Sequence, residues 1–124
     1  MPGHLVDADD ARMLVEIGFI ALSAGLDRDA EAIFSGVSAA RPGGEAGPIG
    51  LALVHLARNE PARAVALLRP LPPTDAALAY LGLALAREGS IGEARRILAD
   101  VAQTASGTPF GDLAEATLAE LRGG

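Results

Sequence analysis

The side chains of this chain best suited to acid–base or metal chemistry are two histidines and a scatter of carboxylates. His4 stands in the run Met1-Pro2-Gly3-His4-Leu5-Val6-Asp7, with no second ligand beside it. His55 stands in Leu53-Val54-His55-Leu56, inside an apolar helical run. A buried, hydrogen-bonded imidazole is the expected role there. Asp9-Asp10 and Asp27/Asp29 could be imagined as calcium ligands, but their spacing is not that of an EF-hand loop. Both pairs fall where helices should begin, and acids are favoured at that end of a helix. Nothing resembles HExxH, a P-loop or a nucleophile elbow. A cysteine count of 0 rules out disulfides and thiolate metal sites. What remains is non-covalent chemistry, the covering of one apolar surface by another. The expectation is therefore a non-enzymatic chain with no catalytic residue, no metal and no cofactor.

The elements that would position such a surface are helices. Of 124 residues, 50% are apolar and only 3% aromatic, with Ala and Leu dominant. That mixture favours helices packed closely through small side chains over sheets. The net charge is −6, and all 10 basic residues are Arg. An acidic chain without a basic cluster lacks the field that phosphate binding needs, so no nucleic-acid partner is expected. Residues 1–31 carry seven acids against Arg12 and Arg28, a net of −5. This reads as a solvated end cap or as a docking face for a basic partner. The N-terminus lacks a basic n-region and a long apolar h-region, so it does not read as a secretory signal. The apolar stretches at 17–26 and 46–57 fall short of the ~20 residues of a membrane span. A cytoplasmic protein without a membrane span is expected.

Along the chain, residues 1–8 read as a flexible tail. A first helix is expected over 9–24, with Leu14, Ile17, Ala21 and Leu22 facing inward and Gly25 stopping it. Asp27 should cap a second, which buries Ala30, Ile33, Phe34 and Val37 and ends at Arg41-Pro42-Gly43-Gly44. A third is expected over 46–58, and Asn59 should cap a short fourth over 60–69, ended by Pro70, Pro72 and Pro73. Thr74 should cap a fifth over 75–88, stopped by Gly89. Ser90-Ile91-Gly92-Glu93 reads as a capping box for a sixth over 91–105. Ser106-Gly107 is a break before a seventh over 108–122, with Phe110, Leu113, Leu118 and Leu121 on its apolar edge.

These helices repeat. Gly18, Ala21, Ala30, Phe34 and Val37 recur 34 residues later as Ala52, His55, Ala64, Leu68 and Leu71. After a further 30 they recur as Gly82, Leu85, Ala94, Leu98 and Val101. A period of this length, with small residues where two helices touch, marks a helix–turn–helix solenoid. The pattern resembles the tetratricopeptide repeat family over residues 11 to about 105. Counting from Ala11, Glu45 and Asp75, small residues fill position 8 and Ala fills position 20 in each copy. The aromatics that the family carries at positions 4 and 11 are missing. The expected fold is thus an all-α, TPR-like helical-hairpin solenoid of about seven helices. Its single domain covers 9–122, with repeats 11–44, 45–74 and 75–107 and a capping helix at 108–122.

A narrower stretch, Glu16-Ile17-Gly18 through Ala21-Leu22-Ser23-Ala24-Gly25-Leu26 to Asp29-Ala30-Glu31, Ile33-Phe34 and Arg41-Pro42, resembles the first repeat of small TPR proteins of bacterial type III secretion. Those are the Hrp-type proteins and the Ysc-type needle-subunit chaperones. The resemblance implies a cytoplasmic adaptor or chaperone whose partner is a secretion subunit or a small co-chaperone. A generic TPR scaffold or a self-associating assembly module is the alternative. The register places Val15, Phe19, Leu22, Ile49, Leu53, Leu56, Ala79, Tyr80 and Leu83 on a concave apolar strip, the expected partner-binding groove. Such a strip suits the nonpolar face of an amphipathic helix. A homodimer or the chain's own termini are the other occupants it would fit.

Overall fold

A computed structural model describes residues 8–123. The architecture is an all-α helical-hairpin repeat with seven helices and, among the described residues, no strand. The helices are α1 (Ala8–Ser23), α2 (Asp27–Ala40), α3 (Ala46–Ala57), α4 (Pro61–Leu68), α5 (Asp75–Glu88), α6 (Ile91–Thr104) and α7 (Pro109–Gly123). The tail expected over 1–8 lies outside the described residues up to position 7, as does His4, while Ala8 opens α1. Among the described residues no helix is long and apolar enough to cross a membrane.

Several helix ends follow local rules. The Thr74 hydroxyl accepts the Ala77 N–H at 3.1 Å, and Thr108 accepts the Gly111 N–H at 3.2 Å. Gly89 closes α5 at φ 96°, a conformation that favours a residue without Cβ. Three expected caps are corrected, two by competing side-chain partners and one by its backbone conformation. Asp27 is the first residue of α2 and not its cap, because its carboxylate turns to Arg58. Asn59 sits just past α3 at φ 59°, while Glu60 precedes α4. Asn tolerates the left-handed region better than most residues. Ser90 does precede α6, but its hydroxyl donates to Glu88 at 3.0 Å and Glu93 is drawn to Arg69, so no capping box forms.

The backbone separates into two compact units, Met1–Asn59 and Glu60–Gly124. The boundary falls inside the segment read as the second repeat, 45–74, so α3 and α4 belong to different units.

In the first unit α1 and α2 form a hairpin, and α3 packs on α2 and touches α1. The core gathers Ala21, Ala30, Phe34 and Val54, with Val15, Phe19, Leu22, Ile33 and Leu51 packed around them. The Phe34 ring, fully buried, lies between two glycines on different helices. A Cβ at Gly18 of α1 would stand 2.7 Å from the ring tip, and a Cβ at Gly50 of α3 would overlap the ring itself. Phe19 meets Phe34 edge-on at 5.2 Å between centroids. The small residues of the repeat are therefore seats for large side chains on the neighbouring helix.

Arg58, at the end of α3, ties that end to the start of α2. Its Nε donates to Asp27 at 2.6 Å and its guanidinium to Glu31 at 2.9 Å. These hydrogen bonds hold both carboxyls below their ordinary range. Groups whose folded pKa is lowered stabilise above their unfolded values and lose that contribution as pH falls through the folded ones. Arg58→Met should therefore lower the urea midpoint at neutral pH, and its deficit against the parent chain should shrink at about pH 3. Urea titrations followed by circular dichroism at the two pH values check this. A deficit of equal size at both would show that Arg58 acts through its aliphatic stem.

In the second unit α5 pairs with α6 and packs also against α4 and α7. Leu85 and Leu98 are fully buried, and a Cβ at Gly82 would stand 2.5 Å from the Leu98 side chain. This is the small-against-large seat of the first unit again. Arg69 of the α4 end donates twice to Glu93 of α6, at 2.8 and 3.2 Å. Tyr80 and Phe110 meet edge-on at 6.3 Å, and burial pushes the Tyr80 hydroxyl pKa up.

Candidate functional site

The positions assigned to a partner groove divide by burial. In the first unit Val15, Phe19 and Leu22 of α1 and Leu53 of α3 are half-buried, and the α1 trio packs around the Phe34 core. In the second unit Tyr80 and Leu83 are half-buried. Ile49 and Leu56 are only 6% exposed and Ala79 is fully buried, so these three are corrected from partner-facing to core. The reason is geometric. A helix packed on more than one side buries an arc wider than a single stripe, and these positions fall within it. His55 is half-buried.

A second correction concerns Ile17. The stripe expected to face inward with Leu14, Ala21 and Leu22 leaves Ile17 at 43% exposure. It belongs instead to an outward apolar stripe with Met13 and Ile20, which are 60% and 68% exposed. The spacing of four and then three residues puts the trio on one helical face. Leu26, just past α1, adds a fourth large apolar side chain at 51% exposure. Beside Ile20 an open hollow of about 450 Å³ is lined by Phe19, Ser23 and Ala24.

The repeat itself shows what this face is. Met13, Ile17 and Ile20 stand in register with Gly47, Leu51 and Val54 of α3, and with Ala77, Leu81 and Ala84 of α5. On α3 those positions meet the helix that precedes it. Gly47 lies against Ser38 of α2, and Val54 joins the cluster with Ala30 and Phe34. On α5 all three are buried, and α4 packs on that helix. On α1 the same arc carries larger side chains at two of the three positions, Met13 and Ile20, and lies open, and no described helix precedes it. The signal was present in the sequence at two of these positions, where Met13 and Ile20 stand in register with smaller residues of the later copies.

The acids around the stripe come from α1 as well. Asp9 and Asp10 lie in its first turn, Glu16 lies between Met13 and Ile20, and all three are exposed. Glu16 is in register with Gly50, the seat of Phe34 on α3.

A cavity of about 400 Å³ opens where α1 and α3 begin and α2 ends. Ala11, Val15 and Val37 wall it, and Arg12, Arg41 and Glu45 stand at it. Its lining holds no nucleophile–base pair. Among the described residues, no three His, Cys, Asp or Glu side chains are grouped so as to hold a metal ion. Against protein-family models, curated proteins and solved structures alike, the chain shows no match.

Proposed function

We propose that this chain is a non-catalytic protein-binding module that captures an amphipathic helix on the outer face of α1. It would act as a chaperone or adaptor of a bacterial type III secretion system, as the resemblance of its first repeat implies. The uncovered stripe Met13, Ile17 and Ile20, at register positions that are covered on α3 and α5, carries the reading. Large apolar side chains left open in one patch mark interaction surfaces. The resemblance implies an aggregation-prone secretion subunit, which such a face would shield.

The test is co-purification from the native host with mass spectrometry of what travels along. A secretion subunit should be enriched with the parent chain. It should be lost with Ile17→Asp/Ile20→Asp, whose circular dichroism should stay that of the parent because both side chains are exposed. Two buried isoleucines account for roughly 3 kcal/mol or more, so affinity should fall about a hundredfold. Retention by the double variant would exclude this face. Partners unrelated to secretion would exclude the type III assignment.

A further inference from the structure

Resting on the reading of α1 as a docking face, we infer that its occupant is a short amphipathic helix of another protein with a stripe of small residues flanked by arginine or lysine. It lies on α1 as α2 lies on α3.

Three observations define that chemistry. The first is size. At three of the helix contacts a large side chain on one helix faces a glycine on the other, as Phe34 does with Gly18 and Gly50, and Leu98 with Gly82, and where Gly47 meets Ser38 both residues are small. On the outer face of α1 the large side chains, Met13, Ile17 and Ile20, belong to α1. The occupant must then supply the small ones, or its axis is held away. The second is length. The helix that precedes α5 and packs on it, beside α6 and α7, is α4, only 8 residues long, with Ala64, Val65 and Leu68 buried. Two turns are therefore enough for a helix to pack at the corresponding place. The third is charge. The stripe has Asp9 and Glu16 on it and Asp10 at its margin, against Arg12 alone on the same helix. Glu16 occupies the register position at which α3 receives Phe34, so it faces the middle of any occupant. Apolar contact there leaves a carboxylate to be paired, and a basic flank pairs it.

A second copy of this chain fits less well. Two α1 faces meeting about a two-fold axis would bring Glu16 near its own counterpart. The exposed side of α7, with Asp112, Glu115 and Glu120, is acidic too. At a net charge of −6 such pairings repel.

The experiment uses the full chain and two fluorescent peptides of about 14 residues, stapled to hold the helix. Both carry the same alanine-rich apolar face, one flanked by arginines and the other by glutamates. Anisotropy titrations should show the arginine peptide binding at least about tenfold tighter. Its affinity should fall between about 50 mM and 500 mM salt. Ile20→Asp should abolish binding. Glu16→Lys should weaken the arginine peptide and strengthen the glutamate one, a reversal that loss of folding cannot produce. Equal binding of both peptides, lost with Ile20→Asp, would overturn the charge inference and leave α1 as the docking face. Peptide binding unaffected by Ile20→Asp would overturn both. A dimer in sedimentation equilibrium that Ile17→Asp dissolves would overturn the foreign occupant in favour of a second copy.

Discussion

Gly50→Ala should destabilise the chain by about 3 kcal/mol, and Phe34→Leu in the same chain should recover part of that loss. A glycine in mid-helix ordinarily weakens it, so replacement by alanine would otherwise stabilise by about 0.5–1 kcal/mol. Here the sign reverses because the new methyl would occupy the space of the Phe34 ring. The ring has nowhere to go. It is fully buried, Gly18 closes its other side at 2.7 Å from a Cβ position, and Phe19 stands edge-on to it. Phe34→Leu alone should lose about 2 kcal/mol by leaving a cavity against both glycines. In combination the smaller leucine leaves room for the methyl, and the loss of the double variant should fall short of the sum of the two single losses by about 3 kcal/mol. Urea titrations of the four chains measure the coupling directly. Strict additivity would mean that the ring and Gly50 are not in contact.

Close packing of this kind is legible in the sequence because it rests on a local rule. Small residues at positions 18, 52 and 82 and at 30, 64 and 94 recur at the repeat spacing. Only close helix packing gives small side chains such a period. Thr74 and Gly89 are legible for the same kind of reason, since each acts within a few residues of itself. Asp27, Asn59 and Ser90 are not. All three are good caps by type, but in each case something other than the cap hydrogen bond prevails. Arg58, 31 residues away, claims Asp27, and chain distance hides such a partner from a local reading. The open face of α1 is hidden differently. Met13, Leu14, Val15, Ile17, Phe19, Ile20 and Leu22 surround the helix with apolar side chains, so periodicity has no broad polar side to orient against. Comparing register positions between copies distinguishes the sides, because Met13 stands where α3 has Gly47 and α5 has Ala77.

Gly47 bears the second large effect, and here no substitution of the facing residue should relieve it. A Cβ at Gly47 would overlap the Ser38 hydroxyl, and behind it would stand 2.8 Å from the Ser38 backbone nitrogen and 2.9 Å from its Cα. Removing the hydroxyl leaves the backbone contacts in place, so α2 and α3 must move apart. Gly47→Ala should destabilise by about 3 kcal/mol or more. Ser38→Ala alone should be neutral or stabilising by about 1 kcal/mol, because that buried hydroxyl has no hydrogen-bond partner. The double variant should then be nearly as unstable as Gly47→Ala, with a coupling small beside that of Gly50 and Phe34. Urea titrations of these chains check both statements. Rescue by Ser38→Ala would show instead that the side chain, and not the backbone, sets the distance between α2 and α3. The contrast bears on the docking face proposed for α1. There the register position of Gly47 is held by Met13, which forbids so close an approach of two backbones. A helix seated there as proposed would therefore be carried on side chains that can adjust, without the backbone contact that Gly47 makes with Ser38.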